Sequence, residues 1–268
     1  LSLFSFWALP LTQDLLMLPA FFAFIILFPG FLSWRFLGRR FHSPIDRGTH
    51  LISALLSNIG TLGGICAYII YGERGFAYAQ IGGACQNLML VLLAFPIAQY
   101  YYLLHKSRGR AARLEARGFL GLLVSWNQLS ILGMAAGILL NAGGIVRPAV
   151  LSDAFSYIIH ISAWFAMLPV GSLINIHRAR HFVYLTLDMI FLRFLIVPLV
   201  TFAAARLLIS DPIVQNSLVI FASVPAAINA TLTARLYHLN VDYTIAVFLV
   251  TTVLYLTVLF PVTFFLFR

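Results

Sequence analysis

Long apolar runs separated by short basic clusters constrain this chain more than any other feature. The runs fall at about 15–38, 48–71, 75–104, 118–141, 149–174, 183–207, 212–237 and 240–267. A helix that covers a hydrocarbon layer of about 30 Å needs roughly 20 such residues. These segments therefore predict eight full membrane spans. Residues 1–9 are apolar but too short, and read as the tail of a cut helix. The chain begins with Leu1 and is expected to be a fragment. No run alternates polar and apolar residues as a membrane β-strand does, so the expected fold is an all-α polytopic membrane protein. Only 9% of the residues are charged and 62% are hydrophobic, which excludes a soluble domain and a disordered tail. Cys66 and Cys85 both lie in apolar stretches and imply neither a disulfide framework nor a metal cluster. The net charge of +9 fits basic loops at a lipid surface, since no polar segment is left to bind nucleic acid.

The loops alternate in charge. Arg39, Arg40 and Arg47 cluster in one loop, Lys106 to Arg117 in a later one, and Arg178 with Arg180 in a third, whereas the loops between carry isolated arginines. The positive-inside rule places the basic loops in the cytoplasm and the C-terminus outside.

Two spans are interrupted. Ser57-Asn58-Ile59-Gly60-Thr61-Leu62-Gly63-Gly64 puts three glycines and an asparagine in mid-span. Ser223-Val224-Pro225-Ala226-Ala227-Ile228-Asn229 does the same with a proline, which lacks a backbone donor. Unpaired backbone at membrane depth is costly unless it lines a cavity or finds protein partners. Broken helices at matching places in two halves point to a transporter binding site. With one helix absent before the stub and a second partial, the broken spans are the fourth and the ninth of ten. The halves are then 1–117, a truncated N-terminal repeat, and 118–268, its inverted partner. Glycine also serves plain helix packing, and a single broken helix is weaker evidence than the pair.

The motif Asn58-Ile59-Gly60-Thr61-Leu62-Gly63 resembles the N-x-G-x-x-G of the auxin efflux carrier family, permeases of the bile acid/arsenite/riboflavin transporter superfamily. The turn Tyr71 to Gly75, the segment Ser223-Val224-Pro225-Ala226 with Asn229 and Ala234, and Tyr237, Asp242 and Thr251-Thr252 are similar to family features in the same order. Leu132-Gly133 through Gly137, Pro148, Pro169 with Gly171, and Arg193 with Pro198 fit helices six to eight, while Ile65 stands near a position where the family often has proline. The short loop between the halves is like that of compact bacterial members, which implies a bacterial cytoplasmic membrane. The resemblance implies two inverted five-helix repeats with crossing fourth and ninth helices, and transport of small organic anions such as carboxylates. No cofactor is implied; a coupling proton or sodium ion and a homodimer are possible partners. A sodium-coupled bile-acid-type symporter and a non-transporting receptor are the alternatives.

The expected substrate-binding residues are Asn58, Ile59, Gly60, Thr61, Gly63, Ser223, Val224, Pro225, Ala226 and Asn229, joined by Asn87 and Asn127. Free N–H groups at the ends of unwound half-helices favour an anion. Charged residues inside spans are expected to serve coupling or charge compensation. Asp188 and Arg193 point some 140° apart on a helix and are not expected to pair. Arg193 either draws anions or compensates the carbonyl ends of the crossing helices. Asp153 and His160, at i and i+7, share a helix face and form a candidate proton relay, or His160 is structural. Asp14, Asp46, Glu115, Asp211 and Asp242 fall at span ends or in loops and are expected to be solvated. The sequence contains no Walker loop, G-x-S-x-G or H-E-x-x-H, so an enzyme is not expected and transport is expected to be secondary.

Overall fold

The computed structural model describes residues 1–107, 129–173 and 180–267. Nearly all of them are helical. The elements are α1 Ser2–Trp7, α2 Leu18–Arg35, α3 Pro44–Leu55, α4 Gly64–Met89, α5 Phe95–Lys106, α6 Leu129–Ala142, α7 Ala149–Leu173, α8 Leu187–Phe191, α9 Val197–Leu208, α10 Pro212–Ala222, α11 Ile228–Leu236, α12 Val241–Leu254 and α13 Phe260–Phe267. Among the described residues there is no strand, only one isolated β-bridge.

Among the described residues, four helical stretches are long and apolar enough to cross a membrane: Gln13–Arg40, Ile59–Lys106, Arg180–Leu208 and Val241–Phe267. Fewer than the eight expected are counted because the runs at 48–71 and 212–237 are broken, the runs on either side of Gly72 join into one stretch, and the runs at 118–141 and 149–174 extend into residues outside those described. The Ile59–Lys106 stretch is two limbs. Gly72, at φ 61°, folds it into a hairpin, a conformation that glycine adopts without steric cost. Across the hairpin a Cβ on Gly64 would stand 3.4 Å from Ala79 and Phe76, and a Cβ on Gly60 would stand 3.2 Å from the Gly83 Cα. The backbones therefore touch where the side chains are smallest.

Besides the π-helical turn Ile59–Gly63, described residues hold three more, at Leu90–Ala94, Leu192–Ile196 and Tyr255–Leu259. Each of these three is followed two residues later by a proline, Pro96, Pro198 or Pro261. The proline ring displaces the carbonyl one turn back and offers no N–H in exchange, so the turn widens.

The core is built from α2, α3, the α4 hairpin, α9, α10 and α12, with Phe22, Ile26, Ile52, Ile59, Phe221 and Tyr255 wholly enclosed. Several acidic residues expected in water are held in bonds. Asp211 caps α10 through the Ile213 N–H at 2.8 Å and pairs with Arg74. The Asp211 N–H donates to Asp14 at 2.9 Å. The Asn240 side chain donates to Asp46 at 2.9 Å.

Candidate functional site

The helix that starts at Pro44 stops because Leu56 turns to extended backbone, at φ −94° and ψ 119°. Asn58 then starts a new helix. Its side-chain oxygen accepts from the Leu62 N–H at 3.5 Å and from the Thr61 hydroxyl, an N-cap in which the asparagine replaces the missing upstream carbonyl. In the second half α10 stops at Ala222. Its chain runs extended through Pro225 to Ala227, at φ −82° and ψ 147°, before α11 begins.

The two breaks meet. Ser57 and Ala226 form an antiparallel bridge. The Asn58 N–H donates to the Pro225 carbonyl at 2.9 Å, and the Ala227 N–H donates to the Leu56 carbonyl at 3.0 Å. Each break thus supplies the hydrogen-bond partner that the other lost, which is how irregular backbone is tolerated away from water. Further bonds hold the crossing. The Ser57 N–H donates to the Gln86 side-chain oxygen at 3.3 Å, and the Ala226 N–H to the Thr251 hydroxyl at 3.2 Å. Gly63 brings its helix against Val224, whose Cγ1 would stand 3.0 Å from a Cβ there.

Arg193 closes the carbonyl end. It is buried, and its Nη2 lies 2.8, 2.9 and 2.7 Å from the carbonyl oxygens of Ser53, Ala54 and Leu56. Of the two roles open to it from sequence, the bonds are those of carbonyl compensation. Asp188 does not pair with it. Asp188 instead accepts from His50 Nε2 at 2.7 Å and from Arg40 at 2.9 Å.

A cavity of about 250 Å³ lies beside the crossing, lined by Asn58, Gly60, Thr61, Gln80, Gly83, Ala84, Gln86, Asn87, Ser130, Ala227, Ile228 and Asn229. A neighbouring cavity of about 390 Å³ shares Asn87 and Asn229 with it. Both half-helices that restart after the breaks, at Ile59 and at Ile228, therefore begin at this cavity. The first N–H groups of a helix have no partner within it and carry partial positive charge. The Gln80 side chain bridges the wall, accepting from the hydroxyls of Ser2 at 3.0 Å and Ser130 at 3.2 Å.

Of the residues singled out from sequence, Asn58, Gly60, Thr61, Asn87 and Asn229 line the cavity. Ile59, Gly63, Ser223, Val224, Pro225 and Ala226 build the crossing behind it. The Ser223 hydroxyl turns back to the Val219 carbonyl at 2.7 Å, and Ile59 and Val224 are fully enclosed. Asn127 lies outside the described residues. Asp153 and His160 share a face of α7, but that face is exposed, and the His160 Nδ1–H donates to the Ser156 carbonyl at 2.5 Å. No hydrogen bond joins the two. Gln80, Gly83, Gln86, Ser130 and His50 were not anticipated. For Gln80 and Gly83 a signal existed: with Asn87 they recur at i, i+3 and i+7, the mark of one helix face. His50 had none, because its partners come from α2 and α8.

No protein-family model matches the chain, and no curated protein matches it.

Proposed function

We propose that this chain is a secondary membrane transporter of small organic anions, carboxylates among them, which bind at the crossing of the two broken helices. The observation that carries the reading is the cavity at the restart of both half-helices, walled by the amides of Asn58, Gln80, Gln86, Asn87 and Asn229. A carboxylate there would accept from backbone N–H groups and amide donors without a full countercharge. The volume of about 250 Å³ falls just below the ~300–1,000 Å³ typical of small-molecule sites, which suits a small solute.

An inverted repeat is part of the proposal, and its support is sequence spacing. The interval from Pro29 to Pro198 equals that from Ser57 to Ala226 and that from Gly72 to Val241. A proline, the crossing residue and a helix restart thus recur in one register. Two inverted five-helix halves fit this register, as does a C-terminus outside the cytoplasmic membrane. Transport would proceed by one bundle rocking against the unit that holds the crossing.

The test is flux of labelled mono- and dicarboxylates in liposomes that carry the full chain. Asn229→Ala removes a cavity amide without touching the bridge and is expected to abolish flux at unchanged protein level. Asn58→Ala should do the same, with an added loss of helix capping of about 1 kcal/mol. A flat signal across a broad anion panel refutes transport, and normal flux in both variants refutes the site.

A further inference from the structure

The transporter reading leaves the coupling ion open, and a buried side-chain chain addresses it. His50 on α3 is wholly enclosed, six residues before the crossing residue Leu56. Its Nδ1 lies 2.7 Å from the Ser33 hydroxyl on α2, and its Nε2 lies 2.7 Å from Asp188 on α8. Asp188 is fixed as an acceptor by Arg40 at 2.9 Å and by the Met189 N–H at 2.9 Å. A neutral His50 therefore carries its proton on Nε2, donating to Asp188, and leaves Nδ1 to accept from Ser33. Ser33, itself fully enclosed, stands at the wall of a cavity of about 200 Å³, whose wall also includes Arg35, Arg39, Arg47 and Tyr101. The other groups packed on the imidazole are Phe41 and Tyr243 of α12, with ring centroids at 5.2 and 6.3 Å. Asp46 and Arg47 lie a turn earlier on α3 itself, bonded to Asn240 and to the Phe41 carbonyl.

Resting on the transporter reading, we propose that Ser33, His50 and Asp188 form the binding site of a coupling proton, loaded from the arginine-lined cavity. A proton arriving at the Ser33 oxygen re-forms the hydroxyl as the original hydroxyl proton moves to Nδ1. One O–H bond breaks, one N–H and one O–H bond form, and His50 becomes an imidazolium between Ser33 and Asp188. The site is mechanically tied to the substrate cavity. Asp188 and Arg193 belong to one helical stretch, so the segment that senses the proton also holds the end of α3 at the crossing. Arg193 occupies the freed carbonyls that a sodium ion would use, which favours a proton as the coupling ion.

Two measurements on the full chain test this. In detergent, the thermal midpoint of the wild type is expected to depend on pH with a component that His50→Gln loses. Superimposable pH curves for the two proteins overturn the proposal. In liposomes, an imposed pH gradient should raise wild-type carboxylate accumulation about tenfold, and His50→Gln should lose that response; retained accumulation overturns coupling. Where His50→Gln gives no folded protein, Ser33→Ala keeps the His50–Asp188 pair and cuts its link to the cavity. Its response to the gradient should slow several-fold, and an unchanged response overturns the loading path. A wild type with a His50-linked midpoint but no carboxylate flux supports the proton site and refutes the transporter reading instead.

Discussion

Replacing Arg193 with methionine tests the assembly of the crossing most directly. The carbonyls of Ser53 and Ala54 fall in the last turn of α3, where the N–H groups that helix continuation would bring, those of Ser57 and Asn58, are bonded to Gln86 and Pro225 instead. Arg193 donates to both, while Leu56 has the Ala227 N–H as well. Burying a guanidinium costs several kcal/mol, which its hydrogen bonds offset. Methionine removes both quantities together and fills similar space. What remains is two buried carbonyls without a donor, at about 1–3 kcal/mol each, or roughly 2–6 kcal/mol in all. At about 2–4 °C per kcal/mol for a chain of this size class, the midpoint should fall by roughly 5 °C or more. The assay is thermal unfolding of purified wild type, Arg193→Met and Arg193→Lys in one detergent. Lysine keeps the charge, but its shorter stem does not carry the ammonium to where Nη2 meets the carbonyls, so it should fall between the other two. A methionine variant within about 1 °C of wild type refutes the reasoning.

Cysteines at Ser57 and Ala226 should cross-link under mild oxidant. In this non-hydrogen-bonded antiparallel pair the Cα atoms stand about 4.5 Å apart, within disulfide range; no band shift after oxidation and cleavage would contradict the bridge. Gly82→Ala places a Cβ 2.4 Å from Phe22 and 2.6 Å from Ile59, so it should cost about 1–3 kcal/mol and be partly rescued by Phe22→Leu. Unfolding midpoints check this, and an unperturbed single variant counts against the packing. Asp211→Ala removes the cap of α10 and should cost about 1 kcal/mol, whereas Asp211→Asn keeps the cap and should cost less. Equal losses in the two variants would assign the effect to the Arg74 pair instead.

The sequence by itself determined which segments are apolar enough for lipid and where two of them break. Both depend on residues within a helical turn: the length of an apolar run, the absent donor of Pro225, the glycines after Asn58. It also showed that Asp188 and Arg193 do not pair, because helix geometry alone sets their angle. Periodicity put Asp153 and His160 on one face, but it carries no information about what covers a face, and that face is exposed. Tertiary structure decided everything that joins distant segments. Ser57 meets Ala226, Arg193 reaches the end of α3, and His50 finds Asp188, a residue 138 positions away. The physical reason is that a helix satisfies its backbone from neighbours four residues off. A break frees those groups, and only the packing of other helices determines which partner takes them up.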